Sequence, residues 1–258
     1  VSNLVNYTIQ DDGMAFVTLN APPVNALSTK FISELHDAIK AVKIDNTVRV
    51  MVLSSSGKHF CAGMDLKEQT TLTIDEGNKV VVAMNDCFND IANLPFPTIS
   101  AVNGIAAGGG GELALSCDFR VLDETAKIGF PEVSLGLIPG AGGTQRLHRL
   151  IGPSNAKYWI FSGKLFSAEE ALADGVSDFI SNQDEVLETA IEIATDFLTN
   201  APFGLQAAKY AIDNGLNTDL QSGLKIEQTQ FEFTQATEDR AEGISAFIEK
   251  REANWSKK

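Results

Sequence analysis

The chain has 258 residues, 44% of them apolar, and a formal charge of −14. That length fits one large α/β domain or two small ones, with apolar content for a real core. The acidic balance argues against nucleic acid or an anionic membrane as the main partner, because both require a positive face; it leaves room for a phosphate-bearing small molecule met by a local Lys or Arg. The three cysteines, Cys61, Cys87 and Cys117, form no CxxC, which fits a reducing compartment without a disulfide framework or zinc knuckle. Each reads as a small buried hydrophobe. Val1-Ser-Asn-Leu lacks the basic and apolar regions of a signal peptide, and no apolar run reaches the roughly 18 residues of a membrane helix. The expectation is a soluble cytoplasmic protein.

Val5 to Asn20 reads as a hairpin about Asp11-Asp12-Gly13, and Ala21-Pro-Pro-Val-Asn25 as a loop. Ser28 caps a helix with Phe31, Leu35, Ala38, Ile39 and Val42 at helical spacing. Val48 to Leu53 is a buried strand, and Ser54 to Asp65 a loop. Asp75 to Asn93 is a helix with Val80, Met84, Phe88 and Ile91 inward, stopped by Leu94-Pro-Phe-Pro97. Strands follow at Thr98–Val102, Phe119–Leu122 and Lys127–Phe130, with a helix over Glu112–Cys117 between the first two. From Thr144 the pattern turns helical, over 144–150, 154–161 and 167–173, the last opened by the capping box Ser167-Ala-Glu-Glu170 and closed by Gly175. A last strand spans Val176–Ile180, and helices span 184–199, 202–214, 220–235 and 238–254. The cadence is ββα-like and fits an α/β fold.

One stretch organises the chain. Four consecutive glycines, Gly108 to Gly111, join the strand Thr98–Val102 to the helix at Glu112. Glycines at a helix start leave backbone N–H groups unshielded, and the positive end of the helix dipole points the same way. Such a turn can hold an anion, or an oxygen that becomes anionic during a reaction. The bland alternative is a close-packed turn with a helix-capping Glu112. A phosphate loop fits less well: no Gly-Lys-Ser/Thr follows, and Leu113 stands where a dinucleotide fingerprint from Gly108 requires Gly or Ala. A second acid favours chemistry. Glu132 lies in another Gly/Pro-rich apolar loop, Gly129 to Arg146, and two carboxylates beside an oxyanion-type turn make a plausible acid/base pair.

With these residues in place, the chain resembles the enoyl-CoA hydratase (crotonase) superfamily from about Thr18 to Trp255. The matching motifs are Leu19-Asn-Ala-Pro-Pro-Val-Asn-Ala-Leu27, His59-Phe-Cys-Ala-Gly-Met-Asp-Leu-Lys67 and Ala101-Val-Asn-Gly104 with Gly108 to Glu112 and Cys117-Asp118. Two more are Phe130-Pro131-Glu132 with Gly136 to Leu147, and Glu242 to Arg251. Each is weak alone; together, in the right order, they are specific.

The resemblance implies a crotonase (ClpP/crotonase-like) α/β spiral of ββα units over residues 1–198. Residues 199–258 would form a helical region for trimerisation and active-site closure, the assembly being a homotrimer or a hexamer made as a dimer of trimers. It implies reversible syn addition of water to a trans-2-enoyl-CoA, giving a 3-hydroxyacyl-CoA, in fatty-acid or related acyl-CoA degradation. The Met64 and Gly109 amides would form the oxyanion hole for the thioester oxygen. Glu132 would transfer the Cα proton and Glu112 that of the water at Cβ. Val24, Ala26, Ala62, Met64, Asp65, Leu66, Lys67, Gly109 and Pro131 would line the acyl-CoA site, and Lys250 would reach CoA phosphates, often those of a neighbouring subunit. No metal or redox cofactor is implied, since CoA belongs to the substrate. Pro23-Val24 departs from the Lys or Arg that many hydratases carry at this place, a variant also found among the family's isomerases.

Two rivals keep the fold: a Δ3,Δ2-enoyl-CoA isomerase, which works with one acid at the Glu132 position, and a non-catalytic acyl-CoA-binding protein. RNA binding is disfavoured by charge. His36, His59 and His148 are too scattered for a metal site. Asp118 reads as a structural acid at a helix end, and Arg146 and Arg149 as partners of nearby acids.

Overall fold

The computed structural model describes residues 3–257. Strands β1 (Val5–Ile9) and β2 (Met14–Leu19) form the expected antiparallel hairpin. Parallel strands β3 (Val50–Ser55), β4 (Thr98–Val102), β6 (Phe119–Asp123) and β9 (Phe179–Ser181) extend it into a six-stranded sheet of order β1-β2-β3-β4-β6-β9. A second sheet, β5-β7-β8, is built from Ile105–Ala107, Lys127–Gly129 and Leu165–Ser167.

Helices cover both faces of the large sheet. Alternating strand residues explain how. Met51, Leu53, Val102 and Leu122 join the main core beneath helices α1 (Thr29–Ile44) and α3 (Ile74–Ala92). Val50, Val52, Ile99, Ala101 and Val121 point the other way, onto Val186, Ala190 and Ala194 of α7 (Val186–Leu198). A strand buried on both faces reads as a continuous apolar run, as in Val50-Met-Val-Leu53 of β3. The expected inward residues of α1 and α3 are all buried, as are the three cysteines, whose thiols are pushed up to about 12 by burial.

Several elements differ from the sequence expectation. The helix after the glycines, α4, runs Gly109–Ala114, starting on the glycines themselves. Between β3 and α3 lies α2 (Leu66–Gln69), a single turn capped by Asp65. The short strands β5 and β8 have no counterpart in the sequence expectation, because three residues give too little periodicity to count. The last strand is shifted to Phe179–Ser181. The two helices expected at 144–150 and 154–161 run on as one segment, α5 (Gly143–Ser162), broken at Gly152, whose φ of 75° precedes Pro153. The capping box of α6 (Ala168–Asp174) is present, and Gly175 closes it at φ 82°. Beyond Leu198 lie α8 (Pro202–Gly215), α9 (Leu220–Gln235) and α10 (Glu238–Glu249). The final helix stops at Lys250, in left-handed geometry, rather than continuing to Asn254.

Candidate active site

The site is assembled where two loops run side by side. Cys61 and Ala106 form a parallel bridge, with Cys61 N donating to Ile105 O and Ala107 N to Cys61 O. This pairing draws the 60–64 loop against the glycine turn: a Cβ built at Gly63 would stand 3.3 Å from Gly109 N. On its other side the same loop is held by the first motif. Ala62 N donates to Val24 O, Leu27 N to Gly63 O, and Asp65 N to Leu27 O, with Leu27 and Met64 bridged in parallel. The amides of Met64 and Gly109 donate to no protein acceptor among the described residues. Gly109 opens α4, so its N–H is one of the unsatisfied donors of a helix start.

These amides border a cavity of about 210 Å³. Its wall includes Ala62, Gly63, Met64, Leu66, Gly108, Gly109 and Pro131, and both glutamates, Glu112 and Glu132. Val81 and Met84 from α3 and Leu135, Leu137 and Ile138 complete an apolar lining. Of the residues expected at the acyl-CoA site, Ala62, Met64, Leu66, Gly109 and Pro131 therefore meet at one cavity. Val24, Ala26, Asp65, Lys67 and Lys250 do not line it. Val24 supports the wall through its carbonyl, Asp65 caps α2 by accepting from Lys67 N and Glu68 N, and Lys250 is exposed at the end of α10. The structure adds Val81, Met84, Leu135, Leu137 and Ile138. Helical spacing gave Met84 only as an inward residue and could not say that the space beside it is open.

The two carboxyl groups sit in different surroundings. Glu112 is buried, 2% exposed, and its Oε1 accepts from Ala141 N and Gly143 N at 2.8 Å each. Desolvation pushes its carboxyl up to about 7, opposed by the bond from Gly143, reinforced by the charge of Glu132, and opposed by Ala141 N and Arg146. Glu132 belongs to a 3-10 turn, Pro131–Leu135, closed by Gly136 at φ 74°. Its Oε2 is buried with no protein partner among the described residues, and desolvation raises its carboxyl as well. Two raised carboxyls facing one largely apolar cavity beside amides without a protein acceptor are equipped for proton transfer next to an oxygen gaining charge.

Other sequence readings resolve simply. Asp118 is structural: it accepts from Thr98 N and pairs with Lys209 at 2.7 Å. His36 pairs with Asp90 at 2.8 Å, and no metal-ligating cluster occurs among the described residues. No described helix is long and apolar enough to cross a membrane. Among the described residues no acid stands within ion-pair distance of Arg146 or Arg149; Arg146 bonds Ala141 O and Asn89, and Arg149 bonds Gln145.

A six-stranded, largely parallel sheet with helices on both faces and a second three-stranded sheet define a crotonase-type α/β fold. The sequence comparison agrees, since the family described as "Enoyl-CoA hydratase/isomerase" matches residues 10–258. The chain belongs to the enoyl-CoA hydratase/isomerase family. It is 39% identical to the short-chain-enoyl-CoA hydratase of Clostridium acetobutylicum, over 96% of each chain. It is 44% identical to the mitochondrial methylglutaconyl-CoA hydratase of Mus musculus, over 88% of this chain and 74% of that one. The crystal structure of the Bacillus anthracis enoyl-CoA hydratase superposes with a TM-score of 0.96 at 38% identity, covering 99% of this chain and 100% of that one.

Proposed function

We propose that this protein is an enoyl-CoA hydratase, a hydro-lyase that adds water across a trans-2-enoyl-CoA to give a 3-hydroxyacyl-CoA. The observation that carries the reading is the pairing of two desolvated carboxyls with two amides that have no protein acceptor among the described residues, around one cavity. The thioester oxygen accepts from Met64 N and Gly109 N. Glu112, whose ionised form is favoured by two amide donors, takes a proton from water as the water oxygen bonds to Cβ. The alkene electron pair moves toward the thioester, and the charge collects on the oxygen between the amides. Glu132, whose partnerless oxygen suits the protonated form, delivers its proton to Cα. Both groups border the same cavity, which fits syn addition. No metal or redox group enters these steps.

Both acids in one cavity favour hydration over isomerisation, which needs a single proton carrier at Glu132. The test is the loss of conjugated-thioester absorbance on mixing with crotonyl-CoA. Hydration is expected in the native protein and a loss of about 10²-fold or more in both Glu112→Gln and Glu132→Gln. If Glu112→Gln retained full Δ3,Δ2-isomerase activity and hydration never occurred, the isomerase reading would replace this one.

The assembly we favour is a homotrimer or a dimer of trimers built through the C-terminal helices. α9 has no buried residue within the single chain, and Leu216, Leu220, Phe231, Phe247 and Ile248 lie exposed on α8–α10 or their joints. Sedimentation at micromolar concentration checks it. The expected metabolic role is fatty-acid or related acyl-CoA degradation, and the expected location cytoplasmic.

A further inference from the structure

The amides that hold Glu112 are Ala141 N, in the loop Pro139 to Gly142, and Gly143 N, at the start of α5 that follows it. Gly142 O accepts from Gln145 N and Arg146 N of α5, but the carbonyls of Gly140 and Ala141 are taken by side chains. Asn85 Nδ2 donates to Gly140 O at 2.6 Å and to Val81 O at 3.1 Å. Arg146 Nη1 donates to Ala141 O at 3.1 Å, and its Nη2 to Asn89 Oδ1 at 2.7 Å. Val81, Asn85 and Asn89 are spaced i, i+4, i+8, so one row of α3 faces the loop. Val81 lines the cavity and the other two brace the loop behind it. Gly142, at φ 110°, has no room for a Cβ because the Arg146 guanidinium lies against it. The arginine is thus threaded between its own helix start and the loop.

The geometry points to Asn85, Asn89 and Arg146 as positioning residues that fix the Ala141 and Gly143 amides on Glu112 and thereby orient its carboxyl toward the water it must deprotonate. This rests on the hydratase reading of the same site. Arg146 has a second effect through charge. The charged groups acting on Glu112 are Glu132 from the 3-10 turn, which disfavours its ionised form, and Arg146 from α5, which favours it. Arg146 in turn is acted on by Glu112 and Cys117, and burial lowers its own pKa. Geometry and charge therefore separate: Asn85 contributes only the first, Arg146 both.

The test uses the full chain and three variants, Asn85→Ala, Arg146→Gln and Arg146→Lys, each checked for native circular dichroism. Two readouts are taken: kcat and KM for crotonyl-CoA against pH, and the carboxyl titration of Glu112 by carbon-13 NMR, assigned with Glu112→Gln. Asn85→Ala is expected to lower kcat about tenfold or more with KM within a factor of two. Arg146→Gln is expected to do the same and to move the Glu112 midpoint upward, because the Arg146 charge favours the ionised carboxyl. Arg146→Lys should restore the midpoint but not kcat, because an ammonium cannot reproduce the fork to Ala141 O and Asn89. Folded variants with native kcat and native midpoint, differing only in melting temperature, would overturn the proposal. If Arg146→Gln does not fold, Asn85→Ala and Asn89→Ala decide it by the same criteria. If the native protein does not hydrate crotonyl-CoA, the functional reading fails, while the Glu112 midpoint in Arg146→Gln still decides whether the arginine acts on that carboxyl.

Discussion

The Glu132 carboxyl lies directly over the Cα of Gly108: a Cβ at that glycine would stand 2.9 Å from Glu132 Oε1. The glycine turn therefore does more than expose an amide at the next residue. Its bareness leaves the place that the acid occupies.

Gly108→Ala is expected to damage function before fold. The methyl meets the far end of a flexible side chain, which can swing away, and the positive φ of 53° adds strain of about 1–3 kcal/mol. Hydration should fall at least tenfold while the protein still melts cooperatively. Comparing kcat with the melting temperature checks this; native kcat would show that Glu132 does not act from its present position.

Gly110→Ala should do the reverse. Its Cβ would run into the Cys61 carbonyl, a backbone atom of the paired loop that cannot swing aside. The expected loss is about 3 kcal/mol, as for overpacking in a close-packed site, with β5 prised from the 60–64 loop. Chemical denaturation measures it, and native stability would contradict the close approach.

Glu112 links activity to stability with opposite signs. Its carboxyl rises from an ordinary value of 4.5 to about 7 on folding, chiefly by desolvation. The folded state thus holds an extra proton between those pH values. That stabilisation is fully present below the unfolded pKa and is lost as pH rises through the folded one, by about 3 kcal/mol as an order of magnitude. Hydration, which needs Glu112 ionised, should instead fall as pH drops through about 7. Glu112→Gln keeps an acceptor oxygen for Ala141 N and Gly143 N. It is expected to be more stable than the native protein at pH 8, to lose that advantage near pH 5, and to be inactive at both. Melting temperatures at the two pH values decide it.

Met84 closes the cavity beside Gly109, its Cε 2.8 Å from where a Cβ on that glycine would sit. Met84→Ala should cost about 2–5 kcal/mol and shift kcat/KM toward longer enoyl chains. Rates across thioesters of increasing chain length test this, and an unchanged preference would place the acyl chain elsewhere.

The amphipathic periods were legible before any coordinates. Ser28, Ser167 and Gly175 marked their helix ends, and the helical stripes named the buried faces of α1 and α3. Local hydrogen bonding and periodicity act over a few residues, so a few residues suffice to read them. The helix cap Thr73 with Glu76 was equally local and was readable in principle. Strands of three residues were not, since β5 and β8 exist only because partner strands lie beside them.

By itself the sequence determined which groups could react: two glutamates in apolar loops, a glycine turn free of side chains, and motifs that resemble one family. Tertiary structure alone decided which of the expected contact residues share a cavity, that α3 supplies its floor and braces the loop behind Glu112, and that Val24 and Asp65 support rather than line it. The physical reason is range. Proximity between Gly63 and Gly109, or between Asn85 and Gly140, comes from long-range pairing that no local pattern encodes, and a carboxyl acquires its burial only when those pieces close around it.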